Sequence, residues 1–184
     1  MKKLFFLFVV SLLVYTTTNA QAIQTGDQAI NIGIGFGSSL VDRDHTGLPS
    51  INVSYEFLPF EKLGIGYIGL GGYAGYKHSN YDYGTYEYKY NHWIFGVRGA
   101  YHFDFYDMNG IDFFNQFDVY AGVFAGFMID NDDWNDDLSD PDYGLSFRND
   151  LFAGARYNFI ENIGVFTEVG YGINYFVFGI DFLF

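Results

Sequence analysis

The chain contains no cysteine, which excludes disulfides, thiol chemistry and a lipid-modified N-terminal cysteine. Positive charge is scarce: 9 Lys+Arg stand against 22 Asp+Glu, a formal net charge of −13. So acidic a chain has no cationic face to lay on phosphates, and nucleic acid is not an expected partner. Beyond residue 22 no run of 18 apolar residues occurs, so a membrane-spanning helix is excluded. Proline is limited to 3 residues, so little interrupts extended backbone. What is plentiful is 22 Phe, 17 Tyr and 23 Gly. Aromatics and glycine enriched together point to strands, with glycine where neighbouring side chains need room.

Lys2 and Lys3 precede an apolar stretch at residues 4–15 that is too short to anchor in a bilayer. Small residues follow at cleavage spacing, as Thr18-x-Ala20 and as Ala20-x-Ala22. These features predict a cleaved secretory signal over residues 1–22, cut after Ala20 or Ala22, and one mature domain over 23–184. Losing the two lysines leaves 7 Lys+Arg against 22 Asp+Glu, a formal charge of −15.

Within the mature chain, apolar residues alternate with polar or small ones at period two, the strand signature. Eight strands are predicted, at 29–37, 50–58, 63–76, 92–103, 117–129, 147–159, 164–171 and 174–184. A change of parity between Ile65 and Ile68 predicts a bulge near Tyr67 in the third. The apolar face of every strand is free of Asp, Glu, Lys and Arg, whereas Glu56, Arg98, Asp118, Arg148, Asp150, Arg156, Glu168 and Asp181 all fall on the other face. A soluble barrel has its apolar side chains inside. This pattern is the reverse, and it predicts an all-β, eight-stranded antiparallel up-and-down transmembrane barrel with a polar lumen. Links at 59–62, 104–116 and 160–163 alternate with links at 38–49, 77–91 and 130–145. If the first set is periplasmic, both termini are periplasmic as well. Outward aromatics then fall into a lower girdle (Tyr55, Phe57, Tyr101, Phe103, Phe117, Tyr157, Phe159, Phe182, Phe184) and an upper one (Tyr76, Trp93, Phe127, Phe147). Around Gly172-Ile173 the last link is expected to be a tight turn.

The C-terminal run ends on Phe184, with Phe182, Ile180 and Phe178 at alternate positions before it. It resembles the signal read by the outer-membrane barrel-assembly machinery. The segments Phe95-Gly96-Val97-Arg98-Gly99-Ala100-Tyr101-His102-Phe103, Asp118-Val119-Tyr120-Ala121-Gly122, Ala153-Gly154-Ala155-Arg156-Tyr157 and Glu168-Val169-Gly170-Tyr171-Gly172 resemble the outer membrane protein β-barrel domain family, of the OmpX and OmpA-barrel type. The resemblance covers the mature chain. It implies a bacterial outer-membrane location, with outer-membrane lipid, lipopolysaccharide and the assembly machinery as partners. Its motifs are architectural and carry no catalytic residue.

Three groups of residues are candidates for function. Glu56, Arg98, Asp118, Arg156, Glu168 and Asp181 should form a packed polar network in the lumen, since eight strands leave room for side chains only. A turn centred on Asn162 would set Arg156 opposite Glu168. The second group is the run Asp130, Asp132, Asp133, Asp136, Asp137, Asp140 and Asp142. It reads first as a solvated acidic loop and second as a site where Ca or Mg bridges to lipopolysaccharide, although EF-hand spacing fails at Trp134. The third is Tyr81, Tyr83, Tyr86, Tyr88 and Tyr90. A two-residue turn at Gly84-Thr85 would pair Tyr83 with Tyr86 and Tyr81 with Tyr88 in a hairpin beyond the bilayer, a surface for a protein or glycan partner. Of the histidines, His45, His78, His92 and His102, none is spaced to form a nucleophile–base pair; His78-Ser79 alone is adjacent, in a loop. The expected function is therefore non-catalytic: envelope integrity, adhesion or contact with surface polymers. A narrow gated channel is the alternative, and an outer-membrane lipid hydrolase a third reading.

Overall fold

Side chains on a strand alternate between its two faces, so a period-two pattern commits each residue to one side of a sheet. The computed structural model describes residues 23–37, 46–47, 49–83, 86–111, 115–133, 143–160 and 162–184. The predicted signal segment, the turn at Gly84-Thr85, His45 and the loop aspartates 136, 137, 140 and 142 lie outside these residues, as do the side chains of Asp132 and Asp133. Eight antiparallel strands form the barrel: β1 (Gln28–Phe36), β2 (Ser50–Phe57), β3 (Gly66–Tyr83), β4 (Tyr86–Phe103), β5 (Phe117–Asp133), β6 (Tyr143–Ile160), β7 (Ile163–Gly170) and β8 (Phe176–Leu183). Each pairs with its neighbours in sequence, and β8 pairs with β1, Ile180 opposite Ile32, which closes the transmembrane barrel.

The faces separate as the alternation requires. Val97, Val123 and Leu151 point outward at 67, 56 and 68 % exposure, whereas Glu56, Arg156 and Asp181 are fully buried inside. Among the described outward side chains of the strands there is no Asp, Glu, Lys or Arg. An uninterrupted apolar belt of this kind is stable against hydrocarbon and unstable against water.

Two expectations about the strands are corrected. There is no bulge near Tyr67: β3 keeps one register with β4 from Gly66 to Tyr83, and its pairing with β2 is equally regular. Leu63 and Ile65 precede the strand in a turn, where Leu63 bridges to Gly66 and Gly64 adopts φ +67°. Their parity therefore says nothing about the strand. The strands are also very unequal. β3, β4, β5 and β6 run for 17 or 18 residues, but β1, β2, β7 and β8 for only 8 or 9. At roughly 3.3 Å per residue and a tilt near 45°, the long strands exceed a 25 Å apolar band by on the order of 15 Å. One side of the barrel is thus a tall wall and the other ends at the belt. A two-residue strand, Thr46–Gly47, pairs with Asn80 and Ser79 on the wall.

The long link after β4 contains a helix, α1 (Phe105–Asn109). The Asp104 carboxylate caps it by accepting from the Asp107 N–H, and Gly110 ends it at φ +62°, a left-handed conformation that suits glycine. Lys62 bonds Asp104 at 2.8 Å and Asp107 at 2.6 Å, tying the β2–β3 link to this helix. Partial burial pushes the Asp104 carboxyl up, but the Lys62 ammonium and the Asp107 amide outweigh it and hold the group below its ordinary range.

At the seam, the Phe184 N–H donates to the Gln28 carbonyl at 2.9 Å and the Gln28 N–H to the Phe184 carbonyl at 3.1 Å. Deleting Phe184 removes both bonds and the terminal ring. The expected result is a smaller folded, heat-modifiable fraction in outer-membrane preparations, with export across the inner membrane unaffected. Normal insertion of the shortened chain would count against an assembly role for Phe184, Phe182 and Ile180.

Candidate functional site: the lumen and its rim

The lumen is filled in layers. Nearest the termini, Arg156 reaches from β6 to Asp118 on β5 at 3.0 Å, Asp181 on β8 at 3.4 Å and Glu56 on β2 at 3.6 Å. His102 on β4 bridges two of the same carboxylates, with Nδ1 at 2.9 Å from Asp118 and Nε2 at 3.0 Å from Glu56. Above them Arg98 pairs with Glu168 at 2.7 Å and donates to Ser54 at 3.2 Å, while the Tyr120 hydroxyl donates to Glu168 at 2.9 Å. Both guanidiniums also lie over rings, Arg98 at 4.2 Å from the Phe152 centroid and Arg156 at 5.3 Å from that of Tyr120. All six lumen residues expected from sequence are in this network. His102, Tyr120, Asn31 and Ser54 complete it, and their inward parity was the signal that marked them.

The partners differ from expectation in one respect. Arg156 stands opposite Phe166, and Glu168 opposite Gly154. A register shift between Asn158 and Ile160 moves β7 past β6, with Ile160 paired to Ile163 across the turn. Glu168 therefore meets Arg98 across the lumen and leaves Arg156 to the carboxylates of β2, β5 and β8.

Above the ionic layers lies an apolar one: Ile94, Phe124, Met128, Phe152 and Ile173, with Tyr73 packed against it. Ile173 comes from the link between β7 and β8, which folds inward. Asp150 holds this link by accepting from the N–H groups of Tyr171 (3.0 Å), Gly172 (2.6 Å) and Ile173 (3.0 Å). Asn174 beside it bonds Ser50 at 2.7 Å. The expected tight turn is thus a plug seated in the barrel. Between the plug and Arg98 remains a cavity lined by Tyr73, Asp150, Phe152, Glu168 and Val177, with room for about one water.

The rim holds a group that spacing in sequence had left apart. Ser79 on β3, His92 on β4 and Asp130 on β5 all face inward, with Ser79 Oγ 3.1 Å from His92 Nε2 and His92 Nδ1 2.5 Å from Asp130 Oδ1. Lys77 shares this face and pairs in register with His92. His78 faces outward, its Nδ1 2.9 Å from Asn91 Oδ1, and takes no part.

Higher on the wall, Tyr83 pairs with Tyr86 and Tyr81 with Tyr88, and the same register sets Tyr76 against Trp93 and Gly71 against Arg98. The side chains of Tyr81, Tyr83, Tyr86, Tyr88 and Tyr90 lie outside the described residues.

No protein-family model and no curated protein matches the sequence. Among solved structures, Ail, the attachment invasion locus protein of Yersinia pestis, in complex with the heparin analogue sucrose octasulfate, is similar at 11 % identity and a TM-score of 0.51, over 88 % of this chain and 100 % of that one. The chain has the fold of the small outer-membrane β-barrels. The N-terminal barrel domain of Pseudomonas aeruginosa OprF is also similar, at 12 % identity and a TM-score of 0.47, over 88 % of this chain and 100 % of that one. Neisserial surface protein A follows at 14 % and 0.47, over 85 % and 94 %. At such identities the likeness reaches the barrel and stops short of its residues, so function has to be argued from the plugged lumen and the wall.

Proposed function

We propose that the chain is an integral barrel of the bacterial outer membrane, with both termini periplasmic, acting through contact at the cell surface. The observation that carries this reading is the wall, four paired strands continuing past the belt while the other four end at it. Extending a sheet into water exposes strand edges, which folds usually avoid unless the surface is used. β6 illustrates the point. β7 pairs with it only from Phe152 onward, and the Tyr171 N–H adds one bond to the Leu151 carbonyl. Above this level no described strand pairs with that edge, which leaves a place for an added strand with Leu145 and Phe147 exposed beside it. The tyrosine-bearing hairpin offers contact area at low entropic cost. Its partner is a surface protein or a glycan, and lipopolysaccharide and outer-membrane lipid surround the belt.

A channel is not favoured, because guanidiniums, carboxylates and the Ile173 plug occupy the lumen at successive levels. Of the acidic run read from sequence as one loop, Asp130, Asp132 and Asp133 belong instead to β5, with Asp130 turned inward onto His92. The solvated-loop reading, with Ca or Mg bridging as the second, is kept for Asp136, Asp137, Asp140 and Asp142. The test is a deletion strain complemented with the wild-type chain or with one in which Tyr81, Tyr83, Tyr86, Tyr88 and Tyr90 are serine. Serine at all five should leave heat-modifiable insertion intact, reduce adhesion to polysaccharide-coated surfaces several-fold, and leave planar bilayers silent for either protein. Unchanged adhesion, or steady conductance of the purified chain, would defeat the proposal. Hydrogen exchange in lipid should show slow amides on both strands of the hairpin.

A further inference from the structure

We propose that Ser79, His92 and Asp130 are a hydrolytic triad at the barrel mouth, acting on small carboxylic esters that enter from the extracellular side. This goes beyond the surface-contact reading, and only the side of entry rests on the orientation proposed there. The order of contacts carries the assignment. A carboxylate accepts hydrogen bonds only, so Asp130 against Nδ1 places the imidazole proton on that nitrogen. Nε2 then carries the lone pair, and Ser79 Oγ, 3.1 Å away, donates to it. Acid on one ring nitrogen and hydroxyl on the other is the arrangement that makes a serine nucleophilic. Three paired strands hold it, with His92 directly opposite both Lys77 and Asp130, so none of the three rests on a loop.

The reaction balances with water as the only co-reactant. His92 Nε2 takes the Ser79 proton as Oγ bonds the ester carbon, then passes it to the departing alkoxide, which leaves as an alcohol. Water, deprotonated by the same nitrogen, attacks the acyl-serine; the carboxylic acid departs and the proton returns to Oγ. Lys77, two residues before Ser79 on the same face, supplies a cation for the oxyanion. Substrate size follows from the surroundings. Ser79 is only 1 % exposed, so an ester reaches its Oγ only as the side chains over it move aside. Ile94 and Met128, the next inward residues below His92 and Asp130, are packed against the plug. Among the described residues the cavity between the plug and Arg98 holds about one water and offers no slot for a long acyl chain, which points to short acyl esters rather than phospholipid.

The alternative is a polar ladder that only holds three strands together, and covalent chemistry separates the two. The full chain, folded in detergent micelles and verified by heat-modifiable migration, is treated with diisopropyl fluorophosphate and mapped by mass spectrometry. One adduct on Ser79 is expected, absent in Ser79→Ala, together with p-nitrophenyl acetate turnover that this variant lacks. His92→Asn and Asp130→Asn should each slow adduct formation by roughly 100-fold or more, the contribution of an oriented base. An unlabelled Ser79 in the folded wild-type barrel would overturn the assignment, as would labelling of either variant at the wild-type rate. Asp130→Asn is isosteric and Ser79→Ala removes a single oxygen, so the comparison survives should His92→Asn fail to fold.

Discussion

A barrel carrying methionine in place of Arg156 is expected to lose about 3–5 kcal/mol of stability, the cost of leaving buried charge without its partner. Arg156 is fully buried, and its guanidinium stands between Asp118, Asp181 and Glu56, with Asn31 as a further acceptor at 3.3 Å. Methionine fills a similar volume but supplies no donor, so Asp118 and Glu56 are left with His102 and Asp181 loses its ion pair. Arg156→Lys should recover only part of the loss, because an ammonium keeps the charge but cannot fork to acceptors on several strands. Urea titration in lipid vesicles, read through Trp93 fluorescence, measures the effect. An unchanged midpoint for Arg156→Met would mean that the network contributes nothing to holding the strands.

The second large effect lies on the opposite face. Val97 and Val123 point into the belt near its middle, and arginine at either position should cost roughly 2–4 kcal/mol, the penalty for a charge on the lipid side of a barrel. Arginine at Gly122, which faces inward, should fail for another reason. There a Cβ alone would sit 2.6 Å from the Phe152 ring and 2.4 Å from the Gly99 carbonyl oxygen. The same titration distinguishes the cases. If Val97→Arg and Val123→Arg unfold at the wild-type midpoint, the inside-out assignment of the faces fails.

The faces were legible in the sequence because parity is a local property. Val97 and Arg98 are neighbours that must point opposite ways, and no tertiary contact changes that. The β3–β4 register was legible too, from the two-residue turn and the match of Gly71 to Arg98. What stayed hidden depended on single-residue events. The shift at Asn158 and Ile160 has no pattern of its own, so Glu168 was matched to the wrong arginine. Leu63 and Ile65 are apolar like strand residues yet lie in a turn, which created a false bulge. Ser79, His92 and Asp130 come from three strands, 13 and 38 residues apart, and only two registers taken together assemble them. The β3–β4 register alone placed Ser79 diagonal to His92; without the β4–β5 register nothing brought in the acid. The parity of β4 turns His102 inward, but its two carboxylate partners lie on β2 and β5, strands not adjacent in sequence to each other.

The inequality of the strands bears on the order in which the barrel forms. The long strands β3 to β6 are consecutive, so their pairings are local in sequence and close with far less entropy to overcome than a pairing between the chain's two ends. The β1–β8 seam joins opposite ends of the chain and rests on short strands, so it is the costliest contact to nucleate. Assembly therefore proceeds as a meander that curls, with the seam as its last step. Once the curl is closed, the reciprocal Phe184–Gln28 exchange is the tie that joins the two ends of the chain beyond the paired strands.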